Sequence, residues 1–394
     1  MPRTTPFHSR VAALCESQDW LLWAGFLSPV TYETDHQREY FALRSSAGLI
    51  DVTPLFKYHV SGPDAGRLLD RVVTRDLTRC AVGQAVYTPW CDTEGKVVDD
   101  GVAVRLEEDR YQLTAADPNL AWLEDTAVGM DVAIEDVTDR IAALAVQGPT
   151  SREVLAGLSE DVAPLRFFRA TTTRFDDVPV TVTRTGYTGD LGYEVWIDAE
   201  HAERLWDLVM DAGAPHNLRP VGNTALDIAR IEAGLILNPV DYVPARHTLF
   251  EVQKSTPFEL GLGWCVSLDK GPFVGRDALR AEAARGPRWS TVGLEAQWDA
   301  IEAVFAEFGL PPQLPTTSWG DAVPVYGRRG QVGKATSGTW SPLLKTYLAL
   351  ARVEPSVAAP GTSLALEVTV EGHRRTARAR VVELPFFDPP RKRS

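Results

Sequence analysis

Apolar residues recur along the chain at two spacings. Spacing of three and four, which lines one face of a helix, predicts helices over residues 9–23, 34–47, 65–74, 118–128, 150–158, 200–212 and 297–308. Turn and capping residues bound several of them. Gly25 and Pro29 break the first, and Gly62-Pro63-Asp64 opens the third, whose Leu68, Leu69, Val72 and Val73 form a buried face. Another helix starts near Asn223 or Thr224, with Asp227 in the capping-box position and Gly234 closing it. Alternation predicts strands at 56–60, 85–89, 110–115, 178–184 and 193–197, and a run at 96–106 broken by Asp99-Asp100-Gly101, while the apolar run 141–146 reads as a buried strand. Beyond Pro324, four strand-like runs (331–335, 347–353, 364–370 and 376–382) are separated by Gly and Pro, the pattern of a small β-barrel or sandwich. Helices and strands mixed in this way predict an α+β fold.

Two places in this pattern carry candidate chemistry. The stretch RTGYTGDLGYE (184–194) joins two strands through three glycines, which permit positive φ and let a flat ligand lie against backbone. Tyr187 and Tyr193 add ring faces and Glu194 a carboxylate, although a tight hairpin with aromatic core residues is the simpler reading of these residues alone. Asp99 and Asp100 lie side by side on a strand, so only one of them can face a given pocket. A carboxylate turned inward needs a hydrogen-bonding ligand or a shifted pKa, whereas a pair at a strand end simply meets water.

Composition narrows the function classes. At 394 residues the chain is long enough for two or three domains, and its net charge of −13 opposes non-specific nucleic-acid binding. The one compact basic run, PPRKRS, reads as a solvated end. Cys15, Cys80, Cys91 and Cys265 form no CxxC pair, and the seven histidines show no HxH or HExxH spacing, so neither a disulfide scaffold nor a metal site is predicted. No run of about 18 apolar residues occurs and MPRTTPFHSR lacks a signal-peptide core, which predicts a cytoplasmic protein without a membrane partner.

The order of several short motifs then carries a resemblance. AGLIDVT (47–53), VSGPDA (60–65), YTPWCDTEGKVVDDGVAV (87–104), AVQGP (145–149), RTGYTGDLGYE (184–194), ARIEAGL (229–235), GLGWCVSLDKGPFVGRDAL (261–279) and TSGTWSP (336–342) follow one another as in the aminomethyltransferase family. That family comprises the glycine cleavage T-protein and its relatives, including tetrahydrofolate-dependent demethylases. The resemblance implies a three-domain folate-binding fold: residues 1–55 with 137–243, residues 56–136 with 244–285, and a C-terminal β-barrel domain over 286–394 with an inserted helix. It implies tetrahydrofolate as the cofactor and assigns residues to it. Asp100 matches the carboxylate facing the reactive nitrogens of the folate and is the candidate catalytic residue. Tyr87 matches the tyrosine upstream of it, Glu194 the glutamate on the amino-pyrimidine edge of the pterin, and Tyr187 the aromatic residue of the GYTG turn. Thr114 and Ala115 fall where backbone meets the pterin, and Trp264 of GLGW borders the same pocket.

Departures from the family pattern bear on the donor of the carbon. Leu226 stands where the family has an arginine before the aspartate, so an anion or folate contact is lost there. Thr53-Pro54-Leu55 replaces the serine-histidine-methionine run of the T-protein. The segment LNPVDYVPARHTLFEVQK adds Arg246, His247, Glu251 and Lys254, which either recognise a different substrate or decorate the surface. Helix 297–308 is an insertion whose apolar stripe reads as core packing or a homo-oligomer contact rather than as a lid. These changes make the lipoyl-carrying H-protein a doubtful partner. They favour a demethylase moving a methyl group from a small methylated substrate to N5 of tetrahydrofolate. Two alternatives stand beside it: a glycine cleavage aminomethyltransferase forming 5,10-methylene-tetrahydrofolate, and a non-enzymatic folate-binding assembly factor. The last is disfavoured because Lys270-Gly271-Pro272 lacks the cysteine of that type's motif.

Overall fold

In the computed structural model, which describes residues 2–394, the predicted strands assemble into a six-stranded sheet, a five-stranded sheet and a closed six-stranded barrel, with one separate hairpin. The first sheet runs Ala170–Phe175, Val178–Thr183, Gly192–Asp198, Ile141–Gln147, Ala47–Asp51, Leu218–Pro220; its last pair is parallel and the others antiparallel. Both faces are covered. Leu144 and Val146 point to a core shared with Leu205, Trp206 and Val209 of helix Ala202–Gly213. Ala143 and Ala145 point the other way, toward Tyr40 and Leu43 of helix Gln37–Ser45 and Ala225, Ile228 and Ala229 of helix Asn223–Glu232. Double burial is why IAALAV is apolar without a break.

The second sheet runs Gln84–Cys91, Val97–Glu107, Arg110–Ala115, Phe56–Ser61, Ala133–Asp136, all antiparallel. Helix Ala65–Val72 buries Leu68, Leu69 and Val72 against Trp90, Val98 and Leu113 of this sheet. The barrel closes in the order Ser290–Ala296, Thr346–Val353, Gly330–Ser341, Val323–Gly327, Ser363–Val370, His373–Val382, adding two strands to the four that the pattern predicts. The α+β class and the C-terminal barrel stand.

Local expectations fail where tertiary contacts decide. The helix expected over 9–23 is His8–Leu14, and the remainder is a hairpin, Trp20–Trp23 paired with Phe26–Pro29. Its turn residues Ala24 and Gly25 both have positive φ (47° and 84°), the two-residue turn that matches strand twist, here with alanine in a position usually held by Asn or Asp. Strand Val97–Glu107 runs unbroken through Asp99-Asp100-Gly101. The capping box at 224–227 does not form: Gly222 is the N-cap, and Asp227 pairs with Arg230 instead. Helix Trp298–Ala306 buries Ile301, Val304 and Phe305 against Tyr347, Val370 and Ala377 of the barrel, which makes it core packing.

Candidate functional site

The unbroken strand through Asp99 and Asp100 sends the two carboxylates to opposite faces. Asp99 is fully buried and accepts hydrogen bonds from the Asp100 and Asp117 amides (2.8 and 2.9 Å) and from Asn119 Nδ2 (2.7 Å). Burial and the charge of Asp100 push its pKa up, while the amides pull it back. Asp100 faces the other way, into a cavity of about 1550 Å³, and accepts from the hydroxyls of Tyr87 (2.9 Å) and Tyr242. Its pKa is also raised by burial, against the pull of the two hydroxyls. Gly101 follows because the chains nearly touch here: a Cβ on it would lie 1.9 Å from the Thr114 carbonyl oxygen.

Opposing chemistry comes from the first sheet. Glu194 pairs in register with Thr183 and Ala145 and lines the same cavity. Burial pushes its pKa up to about 7, with a hydrogen bond from Thr185 working against the rise. Among the described residues no cation lies within ion-pairing distance of it. Tyr187 lines the cavity and donates its hydroxyl to the Ile236 carbonyl. The three glycines have different reasons from the one expected. Only Gly189 takes positive φ (75°). At Gly186 and Gly192 a Cβ would meet Gln147 Oε1 at 2.0 and 2.2 Å. That buried glutamine ties the stretch together, donating to the Thr185 and Tyr193 carbonyls (both 3.2 Å) and accepting from Thr188 (2.9 Å). Tyr193, expected to offer a ring face, is a fully buried core residue.

The seven residues that the family resemblance assigns to the folate site, Tyr87, Asp100, Thr114, Ala115, Tyr187, Glu194 and Trp264, line this one cavity. Trp264 is 63% exposed at its edge, its ring stacked on Tyr87 at 6.0 Å with the Arg75 guanidinium 5.1 Å from its centroid. Leu226, in the place of the family arginine, also lines it. Sequence reasoning missed Tyr242, which reaches Asp100 from 142 residues away, and the buried Arg230–Asp241 pair beneath the wall. A tyrosine following Asp241 in an unfamiliar segment carried no local signal. In that same segment Arg246 donates to Asn119 Oδ1 (2.6 Å), and His247 lines the cavity 3.6 Å from Asp117. Glu251 and Lys254 pair with each other near the surface. Among the described residues no cluster of three or more His, Cys, Asp or Glu could hold a metal ion, and no helix is long and apolar enough to cross a membrane.

Residues 11–270 match the GCVT N-terminal domain family and residues 315–388 the glycine cleavage T-protein C-terminal barrel domain family. The chain is 34% identical to an aminomethyltransferase of Moorella thermoacetica, covering 94% of each chain, and 33% identical to one of Desulforamulus reducens, covering 98% of each. It is also 33% identical to a trimethylamine-oxide aldolase of Ruegeria pomeroyi; that match takes in 100% of this chain and 48% of the relative, so the chain spans about half its length. The glycine cleavage system aminomethyltransferase T from Bartonella henselae superposes with a TM-score of 0.82 at 26% identity, covering 98% of this chain and 99% of that one. The chain therefore belongs to the aminomethyltransferase (glycine cleavage T-protein) family of one-carbon group transferases.

Proposed function

We propose that the protein is a tetrahydrofolate-dependent demethylase that moves a methyl group from a small methylated substrate to N5 of the folate. One observation carries the reading: a cavity with a carboxylate between two tyrosine hydroxyls on one wall, Asp100, and a partly buried carboxylate without a cation on another, Glu194. Glu194 fits the pterin because a partly buried acceptor with no cation is satisfied by two neighbouring N–H donors, and an amino-pyrimidine edge supplies such a pair. The rings of Tyr87 and Tyr187 suit a flat heterocycle. When bound, tetrahydrofolate supplies the nucleophilic nitrogen.

The chain's own residues do the rest. Asp100 stabilises positive charge on the methylated donor and holds a proton near the reacting nitrogens, with Tyr87 and Tyr242 fixing its orientation. Walls from both sheets and the barrel hold the reactants together. A donor containing a quaternary amine leaves as a neutral amine, as such a transfer requires, and the match to a trimethylamine-oxide aldolase supports methylated amines as the class of substrate. The full-length aminomethyltransferase matches favour a second reading, release of ammonia from an aminomethyl-lipoyl carrier with formation of 5,10-methylene-tetrahydrofolate.

The test is to incubate the protein with tetrahydrofolate and a panel of methylated amines, sulfonium compounds, methoxy-aromatics and aminomethyl-lipoyl protein, then separate the folate products. Formation of 5-methyl-tetrahydrofolate from a small donor is expected. Reaction of the lipoyl substrate alone, yielding the methylene form, would replace this reading by the second, and absence of folate binding would remove both.

A further inference from the structure

The carbon donor must be held as well as activated, and the cavity has room for it beside a folate: at about 1550 Å³ it exceeds the roughly 300–1000 Å³ usual for one small ligand. Four arginines and lysines line its wall, and three of them face carboxylates. Arg230 is engaged by Asp227 and Asp241. Lys392 and Arg393 belong to the basic run expected to be solvated, which is docked instead. Arg391 pairs there with the buried Asp190 (2.6 and 2.8 Å), and both Lys392 (3.9 Å) and Arg393 (2.8 Å) face Asp388. Among the described residues the fourth, Arg75, forms no ion pair.

Arg75 is nonetheless firmly placed. Its amide donates to Thr88 Oγ1 (3.3 Å), its carbonyl accepts from Lys270 Nζ (2.8 Å), and the hydroxyl of the preceding Thr74 is shared between the Pro89 and Cys265 carbonyls (3.1 and 3.0 Å). This stitching holds the half-buried guanidinium 5.1 Å from the Trp264 ring centroid. Trp264 stacks in turn on Tyr87, whose hydroxyl reaches Asp100. The Cys265 thiol is the other neighbour; burial, against the pull of Arg75, pushes that thiol up to about 12, so it stays uncharged and supplies no countercharge. A guanidinium beside a ring keeps N–H donors at its edge, in the fork that matches a carboxylate.

Asp100 and Arg75 thus mark two ends of one wall, one suited to positive charge and the other to negative, with the rings of Tyr87 and Trp264 between them. We infer that Arg75 sets donor specificity by taking a carboxylate of the methylated substrate, so that the donor is a zwitterion with its methylated ammonium at Asp100 and its carboxylate at Arg75. The inference rests on the demethylase reading. The glutamyl end of a folate carries the same chemistry, and the test separates the two sources.

Calorimetry without folate, so that no methyl acceptor is present, reads the assignment apart from turnover. The probes are trimethylammonium carboxylates of graded chain length, each with the alkyltrimethylammonium ion of the same length. At the length that spans the two ends, the carboxylate should bind roughly 10- to 100-fold tighter than its partner, the range for a charge-assisted hydrogen bond. Arg75→Gln should abolish that difference and Arg75→Lys should restore part of it. The comparison within a pair is made on the unaltered protein and holds even where a variant does not fold. Equal binding within every pair, binding of neither member, or a difference that persists in Arg75→Gln would overturn the inference. So would loss of tetrahydrofolate affinity in Arg75→Gln without loss for 6-methyltetrahydropterin, which lacks the glutamyl end, because the carboxylate at Arg75 would then be the folate's. If the matched pairs differ as expected but the unaltered protein binds no tetrahydrofolate, the folate reading falls and the role of Arg75 stands.

Discussion

Asp100 and Glu194 are both partly buried carboxylates on the wall of one cavity, yet their surroundings prepare them for different work. Asp100 keeps two hydroxyl donors, one on each carboxylate oxygen, so replacing it by asparagine preserves its shape: one tyrosine still donates to the amide oxygen and the other turns its hydroxyl to accept from the amide NH2. Asp100→Asn is expected to leave thermal unfolding within about 1 °C. Turnover should fall roughly 100-fold or more, the usual scale for losing a positioned proton-transfer group; folate product formation measures the second quantity. Glu194 lacks comparable support, and its pKa of about 7 makes it a pH-sensitive element. The folded state holds this proton between the ordinary carboxylate range, near 4.5, and about 7. Its contribution to stability is therefore lost as pH rises through that window and stays lost above it. Glu194→Gln should then raise stability by about 1–3 kcal/mol at pH 8 and by little at pH 4, read from urea unfolding at both. On the proposed folate reading, the same proton competes with a pterin donor pair. Folate affinity of the unaltered protein should weaken about tenfold per pH unit below 7, and that slope should flatten in the glutamine variant.

At the scale of elements, the glycine stretch shows why part of the site was legible and part was not. Tyr187 and Glu194 could be read because the motif is local and its order along the chain is informative. The purpose of Gly186 and Gly192 could not, because the atom that excludes a side chain there is Gln147 Oε1, some forty residues upstream. Tyr242 was missed for the same reason, since a hydroxyl on Asp100 from 142 residues away leaves no trace in spacing. The hairpin at 20–29 failed differently: WLLW fits helix and strand periods alike, and the Ala24-Gly25 turn decides between them. The glycine assignment can be checked directly. Gly186→Ala should destabilise by about 1–3 kcal/mol through displacement of Gln147, whose amide is buried and fully bonded. Combining it with Gln147→Ala should cost clearly less than the sum of the single changes, because the clash is then gone. Strict additivity in a double-mutant cycle would show that the close approach is not what selects glycine.

At the scale of the whole molecule, the cavity is a joint between parts that meet nowhere else in the sequence. Tyr87 and Asp100 come from the five-stranded sheet, Glu194 from the six-stranded sheet and Tyr187 from the loop that joins two of its strands, and Thr291, Val292 and Val382 from the barrel. Beneath it, buried charge ties the parts together. Arg230 pairs with Asp241, which accepts from Thr336 and Ser337 of the barrel (2.5 and 2.8 Å), and Glu232 accepts from Tyr40 and Ser341 while pairing with Arg44. Removing one member of such a buried pair leaves the other charge without compensation, at a cost of about 3–5 kcal/mol. Asp241→Asn should therefore lower thermal stability, and hydrogen exchange should rise first in strand Gly330–Ser341 and helix Asn223–Glu232, which Arg230 and Asp241 connect. A ligand seated in the cavity bridges the same parts. Tetrahydrofolate at about 100 times its Kd should add about 2.7 kcal/mol to the stability of the unaltered protein. The same concentration should stabilise Asp241→Asn by less, because binding must first restore the joint. If the variant gained the full amount and exchange rose evenly over the barrel, the charge network would be holding the barrel together internally rather than setting the walls of the cavity.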